Sequence, residues 1–242
     1  MERTDRTGFG DIVVIQNEGL GYGVDSVLLA AFAAGETGAK RIRSKARIAD
    51  IGSGNGIVGF VLCHKLPDAT VVGIEKRENA VDRAERAAEI NKLSDRISFV
   101  LADINDYQCS DRFDAVVSNP PYFRQNAAVP NDADDKFTAR HETTANIYDF
   151  GRKMSELLVQ GGDCWLVHRP DRLVDIFDAM RSSGIEPKEQ QMVVPRPGAA
   201  ANIVLIHGIK GAGRELRLLP EFAVHNEDGS YTDIIERIYE RN

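Results

Sequence analysis

Long apolar runs are absent from this chain of 242 residues. No stretch approaches the roughly 20 apolar residues that a membrane-spanning helix needs. The opening segment, MERTDRTGFGD, is charged and polar, which is not typical of a secretory signal. We therefore expect a cytoplasmic protein that does not enter a membrane.

Cysteine is scarce. The chain has only three, Cys63, Cys109 and Cys164, and they lie far apart. An odd number at such spacing fits neither a disulfide framework nor a metal site, so we expect reduced thiols and no bound metal. The net charge of −7 argues against a nonspecific polyanion binder but is compatible with a local basic patch.

Apolar, β-branched segments alternate with helical ones along most of the chain. Strands are predicted at 46–51, 70–75, 97–102, 113–118 and 163–168, and helices at 56–66, 77–92, 146–159 and 171–184. This alternation is typical of an α/β fold with a doubly wound, mostly parallel sheet, here of seven strands.

The two ends of the chain follow a different pattern. Two strand-like segments flank a turn at 195–201, which predicts an antiparallel C-terminal hairpin closing one edge of the sheet. Residues 1–45 precede the first parallel strand, and we interpret them as a cap over the carboxyl edge of the sheet plus a basic linker. Residues 46–242 are predicted to form one compact unit.

A glycine-rich loop follows the first parallel strand, in the segment ADIGSGNGIVG. Gly52, Gly54 and Gly56 allow a tight turn and close approach of a ligand to the backbone. Asp50 precedes the first glycine, and Glu75 ends the next strand, where a ribose-binding carboxylate belongs in a doubly wound fold. Together these residues predict a nucleotide-containing cofactor.

Two cofactors fit this loop, a dinucleotide and S-adenosylmethionine. Asp50 favours the second, because a carboxylate can orient groups near a cationic sulfonium. Asp103, at the end of the third strand, is predicted to bond an adenine amino group, with Ile104 close to the ring. The alternative is that Asp50 and Asp103 only cap helices and turns.

The segment SNPPY follows the fourth strand. Two consecutive prolines cannot continue a parallel strand or lie inside a helix, so they make a stiff loop. The Asn119 side-chain oxygen and the Pro120 carbonyl are neutral acceptors that suit the two hydrogens of an –NH₂ group, and Tyr122 offers a face for stacking a planar ring. The alternative is a loop that only ends a strand.

The position of this loop suggests its chemistry. Ligands of open α/β sheets bind outside the carboxyl ends of the strands at the switch point, where the fourth strand lies beside the first. A planar amine held next to a sulfonium methyl group is a methyl-transfer site. Accepting both N–H bonds favours a pyramidal nitrogen whose lone pair attacks the methyl group, and no strong base is required.

The motifs DIGSGNG, GIE, LAD and SNPPY together resemble class I S-adenosylmethionine-dependent methyltransferases that modify exocyclic or amide nitrogens. The segments at 21–32, 139–150, 166–188 and 221–239 look like the bacterial tRNA adenine N6-methyltransferase family. The resemblance implies transfer of a methyl group to the purine that follows the anticodon of a valine tRNA. It also implies that the segment from Tyr22 to Asp25 lies near the cofactor, with Asp25 as a candidate contact, and that a loop at 123–145 helps to cover the target base.

Several basic residues are candidates for contacting the tRNA. Arg140 lies in the loop that the resemblance places over the base, and Arg169 follows the fifth strand at the predicted catalytic edge. A broader RNA face is also possible, made of Lys40, Arg41, Arg43, Lys45, Arg47, Arg196, Lys210, Arg214 and Arg217.

Three rival functions stay open from the sequence. A glutamine-amide methyltransferase for release factors uses the same motif, but usually carries an amino-terminal helical domain that is not visible here. A DNA adenine methyltransferase usually has a large target-recognition insert, which is also not visible. The third rival is a noncatalytic RNA-binding module that keeps the fold.

Overall fold

The computed structural model describes residues 2–17, 22–120 and 147–241, and within them two β-sheets and six α-helices. The strands are β1 (Glu2–Arg6), β2 (Val13–Asn17), β3 (Arg47–Ile51), β4 (Thr70–Glu75), β5 (Ile97–Leu101), β6 (Phe113–Ser118), β7 (Leu158–His168), β8 (Ile185–Val194), β9 (Ile203–Lys210) and β10 (Arg217–Ala223). The helices are α1 (Val24–Ala33), α2 (Ile57–Lys65), α3 (Glu78–Ile90), α4 (Ile147–Leu157), α5 (Leu173–Ser182) and α6 (Asp233–Ile238).

The larger sheet has the strand order β10-β8-β9-β7-β6-β3-β4-β5. Strands β3 to β7 are parallel to one another, which confirms the predicted parallel sheet. The chain leaves β3 toward β4 and β5 on one side and later returns to β6 on the other. The switch point therefore lies between β3 and β6, where ligands of such sheets bind.

The sheet has eight strands, so the predicted count of seven is wrong. The C-terminal hairpin of β8 and β9 is confirmed, but β9 lies between β7 and β8, and β10 pairs in parallel with β8 to form the edge. Most residues of β10 are exposed, and Pro220 interrupts it beside a register shift. Such an edge strand lacks the buried alternation that marks strands in a sequence.

Helices cover both faces of the large sheet. Helices α1, α2 and α3 pack on one face around Phe32, Phe60 and Trp165. Helices α4 and α5 pack on the other face, where Met154 and Met180 are buried. The apolar strand residues are thereby shielded on both sides, as expected for a parallel sheet.

The amino-terminal segment joins the first of these layers. Strands β1 and β2 form an antiparallel hairpin, which is tied to the end of α3 by two hydrogen bonds between Val13 and Asn91. Helix α1 is almost completely buried against the core. No helix in the described residues is long and apolar enough to cross a bilayer.

Most of the candidate RNA-binding cations lie at the edge of the sheet opposite the switch point. Arg47 begins β3, and its backbone N–H donates to Asp114, which also pairs with Arg43 at 3.1 Å. Lys40 pairs with the buried carboxylate of Asp163. These ion pairs join the linker to the amino ends of β6 and β7.

The remaining cations of that set divide between the two edges. Arg217 pairs with Glu189, and Lys210 donates to backbone carbonyls at the end of α4. Arg196, in contrast, lies in the turn after β8 at the carboxyl edge. Most of the set therefore lies at the amino edge, away from the switch point, and its role as an RNA face stays a prediction.

Candidate functional site

The ends of β3 and β6 are held side by side at the switch point. Ile51 and Ser118 are partners in the strand register, and the buried Ser118 hydroxyl donates to the Ile51 carbonyl at 2.7 Å. The residues that follow, Gly52 and Asn119, therefore leave the sheet next to each other. This confirms the predicted proximity of the glycine loop and Asn119, whereas Pro121 and Tyr122 lie outside the described residues.

All three glycines of the loop have left-handed backbone conformations, with φ of 70°, 57° and 83° at Gly52, Gly54 and Gly56. Side chains other than glycine rarely adopt such angles. A Cβ atom at Gly56 would lie 2.7 Å from the Phe99 ring, whereas one at Gly52 would meet open space. Gly56 thus serves the core, and Gly52 keeps the cavity side of the loop clear.

We expect Gly56→Ala and Gly52→Ala to have different effects. Both substitutions strain the backbone by about 1 kcal/mol, but only Gly56→Ala adds a clash in the core, for a further 1–3 kcal/mol or so. Urea unfolding of the two variants measures this difference. Equal losses of unfolding free energy would contradict the assigned roles.

Asp50 is a buried carboxylate at the base of the loop, 1% exposed. Its Oδ2 atom has no hydrogen-bond partner among the described residues. Burial, followed by the charge of Glu75, raises the pKa of Asp50 to about 7. A backbone hydrogen bond from Gly59 only partly compensates, so the buried charge stays costly and a cationic ligand at Oδ2 would offset that cost.

Glu75 ends β4 as predicted, but its carboxylate already has partners. It accepts from the Gly54 N–H at 2.9 Å and from Arg77 through both the backbone N–H and Nε. Burial alone would raise the pKa of Glu75, but the bonds and charge of Arg77, with the Gly54 N–H, hold it below its usual value. Glu75 therefore shapes the glycine loop, and a ribose would share it with Arg77.

Asp103 and Ile104 follow β5, one strand beyond Glu75. The Asp103 carboxylate accepts from the Asn105 N–H at 2.9 Å, which closes a local turn. Ile104 is partly buried against the core of the α4–α5 face. Neither residue contributes to the described wall of the main cavity, so their predicted contact with adenine stays a prediction.

One cavity of about 320 Å³ brings the predicted residues together. Its wall includes Asp50, Gly52 and Gly54 from the glycine loop, Asn119 from the end of β6, and Asp25 from the start of α1. The Asn119 Nδ2 donates to the Ser26 hydroxyl at 2.9 Å. Tyr122 and Arg140 lie outside the described residues.

Sequence reasoning missed further residues of this wall. Gln16, Ser26 and Arg77 also line the cavity, next to Tyr22 and Gly23 of the segment that the resemblance placed near the cofactor. The Gln16 side chain accepts from the Tyr22 N–H at 2.8 Å and so ties β2 to the start of α1. The signal that could have identified them is a set of polar residues flanking the start of an otherwise apolar helix.

A second cavity, of about 490 Å³, shares Gly23 and Asp25 with the first. Arg169 lines it, together with residues of the turn between β8 and β9. The Arg169 side chain is 60% exposed, with the Asp171 carboxylate 3.6 Å away. Its position confirms that Arg169 lies at the carboxyl edge of the sheet. No group of three potential metal ligands occurs among the described residues.

Comparison with protein families gives a match at residues 27–179 to the methyltransferase small domain. The chain belongs to this family of methyltransferases. The matched residues extend from α1 to α5, and they include the glycine loop and Asn119.

Curated relatives narrow the comparison within the methyltransferase family. The tRNA1(Val) (adenine(37)-N6)-methyltransferase of Bacteroides thetaiotaomicron is 30% identical over 221 residues, which covers 90% of this chain and 89% of that protein. The protein of the same name from Aeromonas hydrophila is 28% identical over 212 residues, covering 87% and 85%. The resemblance that the sequence motifs indicated is confirmed.

Solved structures agree on the fold of this methyltransferase. A predicted O-methyltransferase from Agrobacterium tumefaciens superposes with a TM-score of 0.68, 25% identity, and coverage of 89% of this chain and 95% of that one. The Thermus thermophilus 16S rRNA N2 G1207 methyltransferase, solved with AdoMet and guanosine, has a TM-score of 0.61 at 18% identity, covering 87% and 50%.

The cofactor of this methyltransferase is S-adenosylmethionine, and the residues of the main cavity fit it. The buried Asp50 carboxylate, whose Oδ2 has no partner among the described residues, suits a cationic ligand, and in its ionised form it would repel the pyrophosphate of a dinucleotide. Open space beside Gly52 leaves room for a ligand against the backbone. The sequence left a dinucleotide and S-adenosylmethionine open as cofactors, and the choice is S-adenosylmethionine.

Proposed function

We propose that the protein transfers a methyl group from S-adenosylmethionine to the exocyclic amino group of an adenine in tRNA, the purine that follows the anticodon. The observation that carries the proposal is the opening of Asn119 onto the same cavity as the glycine loop and Asp50. The names of the curated relatives support the choice of acceptor.

The residues at the end of β6 provide the catalytic groups. S-adenosylmethionine supplies an electrophilic methyl group on a positively charged sulfur. The Asn119 Oδ1 and the Pro120 carbonyl accept the two N–H bonds of the adenine amino group, which draws the nitrogen lone pair out of the ring π-system. Holding the acceptor beside the cofactor cavity provides the alignment that in-line attack needs.

The nitrogen–methyl bond forms as the methyl–sulfur bond breaks, which leaves a neutral thioether. The positively charged nitrogen then loses its proton to water, so the site requires no strong base. Asn119 cannot act as one, and its amide is suited to accepting hydrogen bonds. A base in an anticodon loop is already partly unpaired, and bringing it into a pocket costs less than extracting one from a duplex.

Contacts to the RNA are proposed at the second cavity. Arg169 faces the opening that adjoins Asp25, and we assign it a phosphate near the target base. Arg140 and Tyr122 are proposed to cover and stack on the base. A tRNA substrate and free, reduced cysteines also agree with a cytoplasmic location.

Replacing Arg169 by Ala is expected to raise the KM for tRNA by about threefold to tenfold, because one exposed phosphate contact is lost. The kcat and the Kd for S-adenosylmethionine should not change. Arg43→Ala is the matched control, since Arg43 is equally exposed and also pairs with an aspartate, but lies at the amino edge. Steady-state kinetics at two salt concentrations measure the effect. A KM that changes equally in both variants would contradict the assignment.

The function is tested with isotope-labelled S-adenosylmethionine and either unmodified valine tRNA or a release factor. We expect label in tRNA, and N6-methyladenosine in the nucleosides of the digested product by mass spectrometry. Label in release-factor glutamine would support the amide rival instead. Binding of tRNA without any transfer would support the noncatalytic rival.

A further inference from the structure

Ser26 contacts the candidate catalytic amide across a sequence separation of 93 residues. It lies in the first turn of α1, is only 7% exposed, and lines the same cavity as Asn119. Its hydroxyl oxygen accepts a hydrogen bond from the Asn119 Nδ2 at 2.9 Å. The contact therefore joins the amino-terminal segment to the end of β6.

The direction of this hydrogen bond matters because the two ends of an amide are chemically opposite. The oxygen accepts, the nitrogen donates, and a half-turn of the side chain exchanges them. In the proposed reaction the adenine amino group needs an acceptor. If the Asn119 Nδ2 faced the adenine amino group, two N–H donors would point at each other and no hydrogen bond could form.

We infer that Ser26 is a positioning residue that holds the Asn119 amide with its oxygen available to the methyl acceptor. This inference rests on the proposed function. The hydroxyl occupies the Nδ2 side of the amide, so Oδ1 lies on the opposite side. Exchanging the two ends would turn Oδ1 toward the Ser26 hydroxyl, which would then donate instead of accept, and would leave the donor Nδ2 facing the methyl acceptor.

Ser26 is itself held firmly. Its backbone N–H donates to the Gly23 carbonyl at 3.2 Å and to the Asp25 carboxylate at 2.9 Å. On the other side of the contact, the Ser118 hydroxyl fixes the end of β6 against β3. Both partners of the Ser26–Asn119 bond therefore start from anchored backbone, which keeps the two side chains within reach of each other.

A merely structural role for Ser26 is the competing explanation, since buried polar groups are usually hydrogen-bonded whatever their function. Thr and Val distinguish the two explanations, because their side chains have nearly the same shape and only Thr keeps the hydroxyl. Packing and helix propensity change alike in Ser26→Thr and Ser26→Val. A difference between the variants reports the hydroxyl alone.

We expect Ser26→Thr to keep kcat within about threefold of the unsubstituted enzyme, and Ser26→Val to lower it by about tenfold, as for loss of one hydrogen bond. The Kd for S-adenosylmethionine and the KM for tRNA should agree in the two variants. Equal kcat values for Thr and Val would overturn the inference. If both β-branched variants unfold at a clearly lower temperature than the unsubstituted enzyme, Ser26→Ala is used in their place. A kcat of Ser26→Ala equal to that of the unsubstituted enzyme would then overturn the inference.

A second readout does not depend on turnover. In ¹⁵N-labelled protein without cofactor, the Asn119 side-chain amide protons, assigned by their loss in Asn119→Ala, should exchange slowly with solvent. Slow exchange should persist in Ser26→Thr and disappear in Ser26→Val. Fast exchange in the unsubstituted protein would overturn the inference even if the enzyme methylates tRNA. If the Asn119 amide protons exchange slowly but the enzyme does not methylate tRNA, the contact with Ser26 is supported and the proposed function is refuted.

Discussion

Replacement of Asn119 by Ala is expected to lower the rate of methyl transfer by about a hundredfold to a thousandfold, the loss typical of removing one preorganised polar group at a reacting centre. The Kd for S-adenosylmethionine should change by less than about threefold, because the cofactor is proposed to be held by the glycine loop and Asp50. Single-turnover kinetics at saturating tRNA, together with calorimetry of cofactor binding, measure the two quantities separately.

Asn119→Asp provides the matched variant at this position. It keeps the shape and an acceptor oxygen but removes the amide that donates to Ser26. We expect it to be more active than Asn119→Ala and less active than the unsubstituted enzyme. Unchanged turnover in Asn119→Ala would remove Asn119 from the mechanism, and parallel losses of rate and cofactor affinity would show that it mainly supports the cavity.

Asp50→Asn is expected to stabilise the cofactor-free protein at pH 8 while weakening S-adenosylmethionine binding by at least about tenfold. Burial and the charge of Glu75 raise the pKa of Asp50 to about 7, whereas an unfolded aspartate titrates near 3.9 or so. At a pH between these two pKa values, Asp50 is protonated in the folded state and ionised in the unfolded state. Stability conferred by this site is therefore present at acidic pH, falls as the pH rises from about 4 to 7, and stays low above that.

The amide that replaces the carboxylate in Asp50→Asn carries no charge, so the loss of stability above pH 7 should disappear. We expect a gain of roughly 1–4 kcal/mol in the free energy of unfolding at pH 8, and no gain near pH 4. Urea unfolding across this pH range measures it. Asp82→Asn is the control, because the Asp82 side chain is 61% exposed and its substitution should show no comparable gain. A variant that is less stable at pH 8 would contradict the buried-charge explanation.

Cofactor binding should itself depend on pH through Asp50. A cationic ligand favours the ionised carboxylate, so binding near pH 6.5 should release a fraction of a proton, about half or more. Calorimetry in two buffers of different ionisation enthalpy detects this release, which should vanish in Asp50→Asn. The same carboxylate that lowers the stability of the free protein is thus proposed to strengthen binding of the cofactor.

The parallel strands and the glycine loop could be predicted because their signals are local. A buried parallel strand is a continuous apolar run, and a left-handed turn requires glycine, so Gly52, Gly54 and Gly56 are recognisable from spacing alone. The eighth strand, β10, could not be predicted, because its sequence carries no such local signal. Its residues are mostly exposed and include Pro220, and only pairing with β8 makes them a strand.

The roles of charged residues were harder to predict from the sequence than the positions of apolar residues. Lys40, Arg43 and Arg47 are close together in the chain and suggested an RNA-binding face. At the amino edge of the sheet, however, Lys40 and Arg43 pair with aspartates, and the Arg47 guanidinium donates to backbone carbonyls. Glu75 was expected to hold a ribose, and the fold also places Arg77 and the Gly54 N–H against it. The sequence does not show which counter-charges fold close to a charged residue.

The order of strands and helices, the glycine loop and the placement of Asn119 after an apolar strand were determined by the sequence alone, because each depends on neighbouring residues. Only the tertiary structure decided that Asp50 has an unpartnered, buried oxygen, that most of the basic residues face away from the site, and that Ser26 meets Asn119. These properties depend on which distant segments the sheet brings together. Burial and pairing, and not residue type, set the energy of a polar group.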